Sequence, residues 1–133
     1  MGAFDSKPLL TFAHPAEARP WTSPRDAKAL KFIGNFCIWE RSDSYVLVTG
    51  EGIETSLVAV AAALSQLPVT QVHNLGVALS LGALAVGQVC QIRTVYGEKS
   101  EGIPEFQSFS TTQQTRRNAG PVDVLSSRDR ILT

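Results

Sequence analysis

One segment constrains the fold of this chain more than any other, because a strand, a glycine-rich turn, a helix and a second strand follow one another within it. "SYVLVTG" is a β-branched run that ends in glycine, a pattern typical of a buried strand. Over residues 53–66 the apolar side chains recur at helical spacing, and Pro68 ends the run. The apolar stripe consists of Ile53, Leu57, Val60, Ala61 and Leu64. "VTQVHNLGVAL" then returns to strand character, so the order predicts a βαβ unit in a parallel or mixed sheet.

Shorter apolar runs predict the remaining strands. Residues 8–13 form one, and "KFIGNFCIWERS" forms another that pairs with "SYVLVTG" as a hairpin through "RSDS". "VGQVCQIRTVYG" and "PVDVLSSRDRILT" supply two more. Residues 99–120 are polar and carry no apolar period, which indicates a mobile loop. We therefore expect one α/β domain over residues 1–133, with a mixed, twisted sheet and flanking helices.

Composition narrows the classes of function. The 133 residues are 44% hydrophobic and 18% charged, and 12 basic residues balance 12 acidic ones. This neutrality argues against nucleic-acid binding and favours a partner subunit that covers apolar surface. Cys37 and Cys90 form no close pair, which predicts reduced, packed thiols and neither a disulfide nor a zinc site. No secretory or membrane-spanning pattern is present in the sequence, so we expect a cytoplasmic protein.

The turn "TGEGIET" allows three interpretations. A glycine-rich strand-to-helix turn is suited to anion binding, but Glu51 and Glu54 place negative charge there, and the lysine of a nucleotide-binding P-loop is missing. "EGIET" also resembles the glutamate motif of Toprim domains, which hold magnesium with a later DxD pair. The later aspartates here, Asp123 and Asp129, lie six residues apart. A turn in which Glu54 complements the helix dipole is the favoured interpretation.

A longer resemblance covers most of the chain. "YVLVTGEG" is followed by an alanine-rich helix, then by "VHNLGVAL" and "LAVGQVCQI". This order resembles the nucleoside phosphorylase and nucleosidase superfamily, particularly methylthioadenosine/S-adenosylhomocysteine nucleosidases and futalosine hydrolases. "LLTFAHPAEARPW" is similar to the first strand and loop of that family, and "VDVLSSRDRIL" to a later strand. The resemblance implies a phosphorylase/nucleosidase-like fold that lacks its C-terminal part.

The resemblance also implies a function and a site. The function would be hydrolysis of the N-ribosidic bond of a purine nucleoside, methylthioadenosine-like or futalosine-like, by a homodimer without metal or cofactor. Glu17 would orient the attacking water. The nucleoside-binding residues would be His14, Asn74, Gly76, Val77 and Ala78.

Two departures from the family pattern keep other functions open. The chain stops before the aspartate acid and the ribose-binding glutamate of the family, and Leu79 stands where the family has glycine. A non-catalytic nucleoside-binding or subunit-interaction protein is therefore one alternative. A Toprim-like magnesium-dependent nucleic-acid domain is another.

Overall fold

The chain divides into two compact units, Met1–Ala78 and Leu79–Thr133. The computed structural model describes residues 4–30, 36–80, 82, 84–100, 103–110 and 119–126. Among these residues, no helix has both the length and the apolar content needed to cross a membrane. The single domain expected over residues 1–133 stays a prediction.

The first unit is built on a five-stranded mixed sheet with the strand order β2-β3-β4-β1-β5. Strand β1 lies between β4 and β5 and is parallel to both, whereas β3 is antiparallel to β2 and β4. A short 3-10 turn, Arg19–Trp21, follows the first helix. The elements are β1 (Lys7–Phe12), α1 (Pro15–Ala18), β2 (Ala27–Leu30), β3 (Cys37–Arg41), β4 (Tyr45–Val48), α2 (Ile53–Gln66) and β5 (Val69–Asn74). The predicted α/β class, the β3–β4 hairpin and the βαβ unit are confirmed.

Strand β4 organises the core because every one of its residues is buried. Its alternate side chains point to opposite faces of the sheet, as strand geometry requires. Tyr45 and Leu47 join one apolar cluster with the alanines of α2, and Val46 and Val48 join a second with Phe12. Because apolar clusters cover both faces of the sheet at β4, the sequence of this strand is a continuous apolar run.

Helix α2 packs on the sheet with its smallest side chains. Ala59 and Ala63 are completely buried, and Val60 is half-buried against the same cluster. Three large members of the predicted apolar stripe face solvent instead, and the side chains of Ile53, Leu57 and Leu64 are 56%, 67% and 47% exposed. Alanine lets the helix approach the sheet closely, which turns the larger side chains outward.

The turn between β4 and α2 depends on glycine at position 50. Gly50 adopts a positive φ of 82°, which L side chains rarely adopt. A Cβ at this position would lie 2.8 Å from Cγ2 of Thr55, in the first turn of α2. Gly52 also has a positive φ, of 97°, but a Cβ there would meet no atom within 4 Å. Substitutions at the two glycines can therefore be compared to distinguish the cost of backbone strain from the cost of steric clash.

We expect Gly50→Ala to lower the free energy of unfolding more than Gly52→Ala does. Each variant carries backbone strain of about 1–3 kcal/mol. Only Gly50→Ala adds the contact with Thr55, which costs a further ~1–3 kcal/mol. Urea denaturation of the two variants measures the difference. Thr55→Ser removes Cγ2, so in the double variant it should relieve the clash and restore the stability that the clash costs. Losses of stability that are purely additive in the double variant would contradict this explanation.

The second unit contains a three-stranded sheet with the strand order β7-β6-β8. Its strands are β6 (Cys90–Ser100), β7 (Ile103–Ser110) and β8 (Ala119–Ser126). Strand β6 pairs antiparallel with β7 and parallel with β8.

The prediction of a loop over residues 99–120 is wrong where β7 forms. The apolar residues Ile103, Phe106 and Phe109 of β7 are three positions apart, so the strand lacks the two-residue alternation by which strands are predicted. Backbone pairing with β6 provides the partner that local sequence does not reveal. Residues 111–118 lie outside the described residues.

Candidate functional site

The carboxyl ends of β1 and β5 are joined by two hydrogen bonds. The buried hydroxyl of Thr11 donates to Oδ1 of Asn74 at 3.0 Å. The backbone N–H of Leu75 donates to the carbonyl of Thr11 at 2.9 Å. These bonds fix the start of the segment that contains Gly76, Val77 and Ala78. Asn74, predicted to bind substrate, therefore has a role in positioning this segment.

Helix α1 begins at the end of β1 and is capped by a histidine. Nδ1 of His14 accepts a hydrogen bond from the backbone N–H of Ala16 at 3.1 Å. Because Nδ1 accepts, the neutral ring carries its proton on Nε2. Pro15 occupies the first turn, where its missing N–H costs nothing, and the buried Ala18 packs against the core. The helix is one turn long and presents Glu17 from its first turn.

Glu17 connects the segments that follow the carboxyl ends of β1 and β5. Its Oε2 accepts a hydrogen bond from the backbone N–H of Val77 at 3.1 Å, across 60 residues of sequence. A Cβ on Gly76 would lie 3.1 Å from the same oxygen, so glycine allows the close approach. The structure thus brings three predicted site residues into contact. Ala78 follows Val77 in the same exposed segment.

A cleft of about 590 Å³ opens beside the start of α1, at the carboxyl ends of β1 and β4. The ends of these strands are joined by the N–H of Thr49, which donates to the carbonyl of Phe12 at 2.8 Å. The volume lies within the usual range for small-molecule sites. The lining residues are Ala13, His14, Pro15, Phe36, Cys37, Val48, Thr49, Gly50, Glu51 and Thr55.

Of the ten lining residues, only His14 was predicted as a site residue. Phe36, Cys37 and Thr55 come from the start of β3 and the first turn of α2. The expectation that Cys37 is a packed thiol is wrong, because its side chain is exposed, and both cysteines are free. Strand β3 lies inside the sheet, between β2 and β4, and nothing in the local sequence at its start indicates that the Cys37 side chain faces solvent.

The carboxylates of the turn make no metal site in the described part of the chain. No group of three or more His, Cys, Asp and Glu side chains is positioned there to hold a metal ion. Glu51 lines the cleft, and Glu54 lies in the first turn of α2. The Toprim-like alternative requires Asp123 or Asp129 beside Glu51, and Asp129 lies outside the described residues.

Comparison with known proteins finds a similar fold. No protein-family model matches the chain, and no curated protein matches it. The structure is similar to the crystal structure of 5′-methylthioadenosine/S-adenosylhomocysteine nucleosidase from Neisseria meningitidis in complex with methylthio-immucillin-A, with a TM-score of 0.57 and 17% identity. The match covers 91% of this chain and 63% of that one. The likeness shows the fold: a mixed sheet with a flanking helix, of the nucleosidase type.

Proposed function

We propose that this chain binds a purine nucleoside at the carboxyl ends of β1 and β5 and hydrolyses its N-ribosidic bond. The observation that carries this proposal is the hydrogen bond from the Val77 N–H to Oε2 of Glu17. It holds a carboxylate beside a backbone segment that a sugar or base can approach closely at Gly76. The similarity of the fold to a nucleosidase supports the same function.

Glu17 has the geometry required of a group that orients water. Its Oε2 is held by Val77, which leaves Oε1 to accept a hydrogen bond from a water molecule. The oxygen of that water attacks the anomeric carbon as the bond to the purine breaks, and the bonding electrons leave with the base. Glu17 takes one proton of the water and later releases it to solvent, while the departing base takes up one proton from solvent, so that the protons balance.

A non-catalytic nucleoside-binding protein is the second candidate. The observation that favours it is Leu79, whose side chain is 80% exposed at a position where the resemblance implies glycine. A leucine there adds bulk next to the segment that would contact the nucleoside. Binding without turnover is the expected behaviour of such a protein.

Release of free base tests the two candidates. The purified protein is incubated with methylthioadenosine, S-adenosylhomocysteine, futalosine and inosine, with and without phosphate. A hydrolase releases base and free sugar in both conditions, whereas a phosphorylase requires phosphate and yields the sugar phosphate. Binding by calorimetry without base release would favour the non-catalytic candidate, and neither binding nor release would refute both.

We also propose that the chain forms a homodimer through the exposed face of α2. The face consists of Ile53, Leu57, Ala61 and Leu64, and residues 55–66 carry no charge. Leu57 and Leu64 lie on either side of the small Ala61. In an antiparallel pair of helices, Leu57 of each copy would therefore pack against Leu64 of the other copy. The zero net charge adds no long-range repulsion between copies.

We expect Leu57→Lys to raise the dissociation constant of the dimer by roughly a hundredfold or more, because pairing would bury an ammonium group without a partner. Sedimentation equilibrium measures the constant. Gln66→Lys is the matched control, since Gln66 is exposed on the opposite side of α2 and its variant should still dimerise. A wild-type protein that remains monomeric at high concentration would refute the proposed dimer.

A further inference from the structure

The cleft beside α1 contains one carboxylate that the fold does not use. Glu51 lines this cleft, and within the described residues it makes no hydrogen bond or ion pair. The positive φ angles of the turn belong to the neighbouring glycines. Glu54, in the first turn of α2, already places negative charge near the positive end of the helix dipole. The fold therefore has no evident need for a carboxylate at position 51.

The remaining lining of the cleft is apolar or neutral. Ala13, Pro15, Phe36 and Val48 form apolar walls, and among the residues that the structure describes no lysine or arginine lines the cleft. His14 is held in its capping position by Ala16, and its neutral tautomer offers an N–H at Nε2. An apolar cleft with one negative charge is suited to an organic cation and unfavourable for a phosphate.

The short helix α1 contributes residues to the cleft and also carries Glu17. His14 and Pro15 line the cleft at the start of α1, and Glu17 follows within the same turn. A nucleoside whose anomeric carbon faces Glu17 carries its 5′ substituent on the other side of the ribose ring. We propose that this cleft receives the 5′ substituent, and that Glu51 selects an ammonium or sulfonium group over a phosphate. The assignment to a nucleoside rests on the proposed function, whereas the preference for a cation rests on the cleft itself.

Calorimetry with three nucleosides tests the assignment. The ligands are 5′-amino-5′-deoxyadenosine, adenosine and adenosine 5′-monophosphate, all titrated into a Glu17→Gln background to prevent hydrolysis. We expect the amine to bind about tenfold more tightly than adenosine, and the phosphate to bind more weakly than adenosine. Glu51→Gln should reduce the preference for the amine to nearly none. If Glu51→Gln keeps the wild-type preference for the amine, the proposed role of Glu51 is overturned.

Thiol labelling tests the charge of the cleft without any nucleoside. Cys37 is exposed and lines the cleft, so its reaction rate reports the local potential. In a Cys90→Ser background, the labelling rates of Cys37 are measured with two methanethiosulfonates, the cationic trimethylammonioethyl and the anionic sulfonatoethyl reagent. Each rate is divided by the rate at which the same reagent labels a small free thiol in solution. We expect a several-fold preference for the cation that Glu51→Gln removes. Glu54→Gln is the matched control, because Glu54 does not line the cleft. A preference unaffected by Glu51→Gln would overturn the inference.

The two experiments separate failure of the inference from failure of the proposed function. Nucleosides that bind without preference for the amine would refute the selection by Glu51 and leave the nucleosidase proposal standing. No nucleoside binding, together with a cation preference at Cys37 that depends on Glu51, would refute the proposed function and retain a cation-selective cleft.

Discussion

Glu17→Gln is expected to reduce the rate of base release by at least ~100-fold, the lower end of the contribution of a positioned general base. Glutamine has nearly the same shape as glutamate, and its carbonyl oxygen can still accept the hydrogen bond from the Val77 N–H. The amide cannot accept the proton of the attacking water. The loss is therefore expected in the maximal rate, with the nucleoside still bound, and steady-state assays of base release measure it.

Two further variants make this result specific. Glu17→Asp keeps the charge but shortens the side chain, so the bond to the Val77 N–H is lost and activity should fall as well. Glu54→Gln also removes an exposed carboxylate, but at the start of α2, and should leave the rate unchanged. Base release by Glu17→Gln at the wild-type rate would contradict the role of Glu17 in orienting water.

Tyr45→Ala is expected to cause the largest loss of stability in the first unit, about 3–5 kcal/mol, the range for removal of a large aromatic side chain from a core. Tyr45 is completely buried in β4, its hydroxyl donates to the carbonyl of Asp5 at 2.5 Å, and its ring meets Phe4 edge to face. The ammonium group of Lys7 lies 5.2 Å from the ring centroid. Denaturation in urea, followed by circular dichroism, measures the loss.

Tyr45→Phe is the matched control and separates the ring from the hydroxyl. It should cost only about 1 kcal/mol, because the packing remains and the Asp5 carbonyl loses one donor. A loss as large as that of Tyr45→Ala would show that the hydrogen bond, rather than the buried ring, stabilises this part of the core.

Tyr45 also predicts how stability depends on pH. Burial, with smaller contributions from the negative charges of Glu40 and Asp5, raises the pKa of Tyr45 above its usual value of 10.0. The folded protein therefore holds this proton to higher pH than the unfolded chain does. The stability is fully present below pH 10 and is lost as pH rises through the folded pKa. Tyr45→Phe should show a shallower decline over this range, and equal slopes would contradict the assignment to Tyr45.

Elements with a strong local pattern could be predicted from the sequence. The helix predicted over residues 53–66 forms as Ile53–Gln66, because apolar spacing and a terminating proline act within one segment. The β3–β4 hairpin was also predictable, since its two strands are separated by three residues. Strands β2 and β7 were not, because "AKAL" lacks β-branched residues and the apolar residues of β7 do not alternate.

The candidate site was predictable as a set of residues but not as an arrangement. The resemblance named Glu17, Gly76 and Val77, yet nothing in the order of motifs requires a hydrogen bond between the first and the last of them. That bond exists because β1 and β5 are parallel neighbours whose carboxyl ends meet at the same edge of the sheet. The cleft with Glu51 also depends on how β3 and α2 flank the end of β1, which no local pattern describes.

By itself, the sequence determined the type and order of the strongly patterned elements, including the glycine turn that leads from β4 into α2. Local sterics and side-chain periodicity are sufficient for these, because their causes lie within a few residues. Only the tertiary structure decided which face of α2 is buried, that β7 forms, and that Glu17 meets the backbone of Val77. Each of these depends on contacts between segments distant in sequence, such as the alanines of α2 against β4, whose geometry a local pattern does not encode.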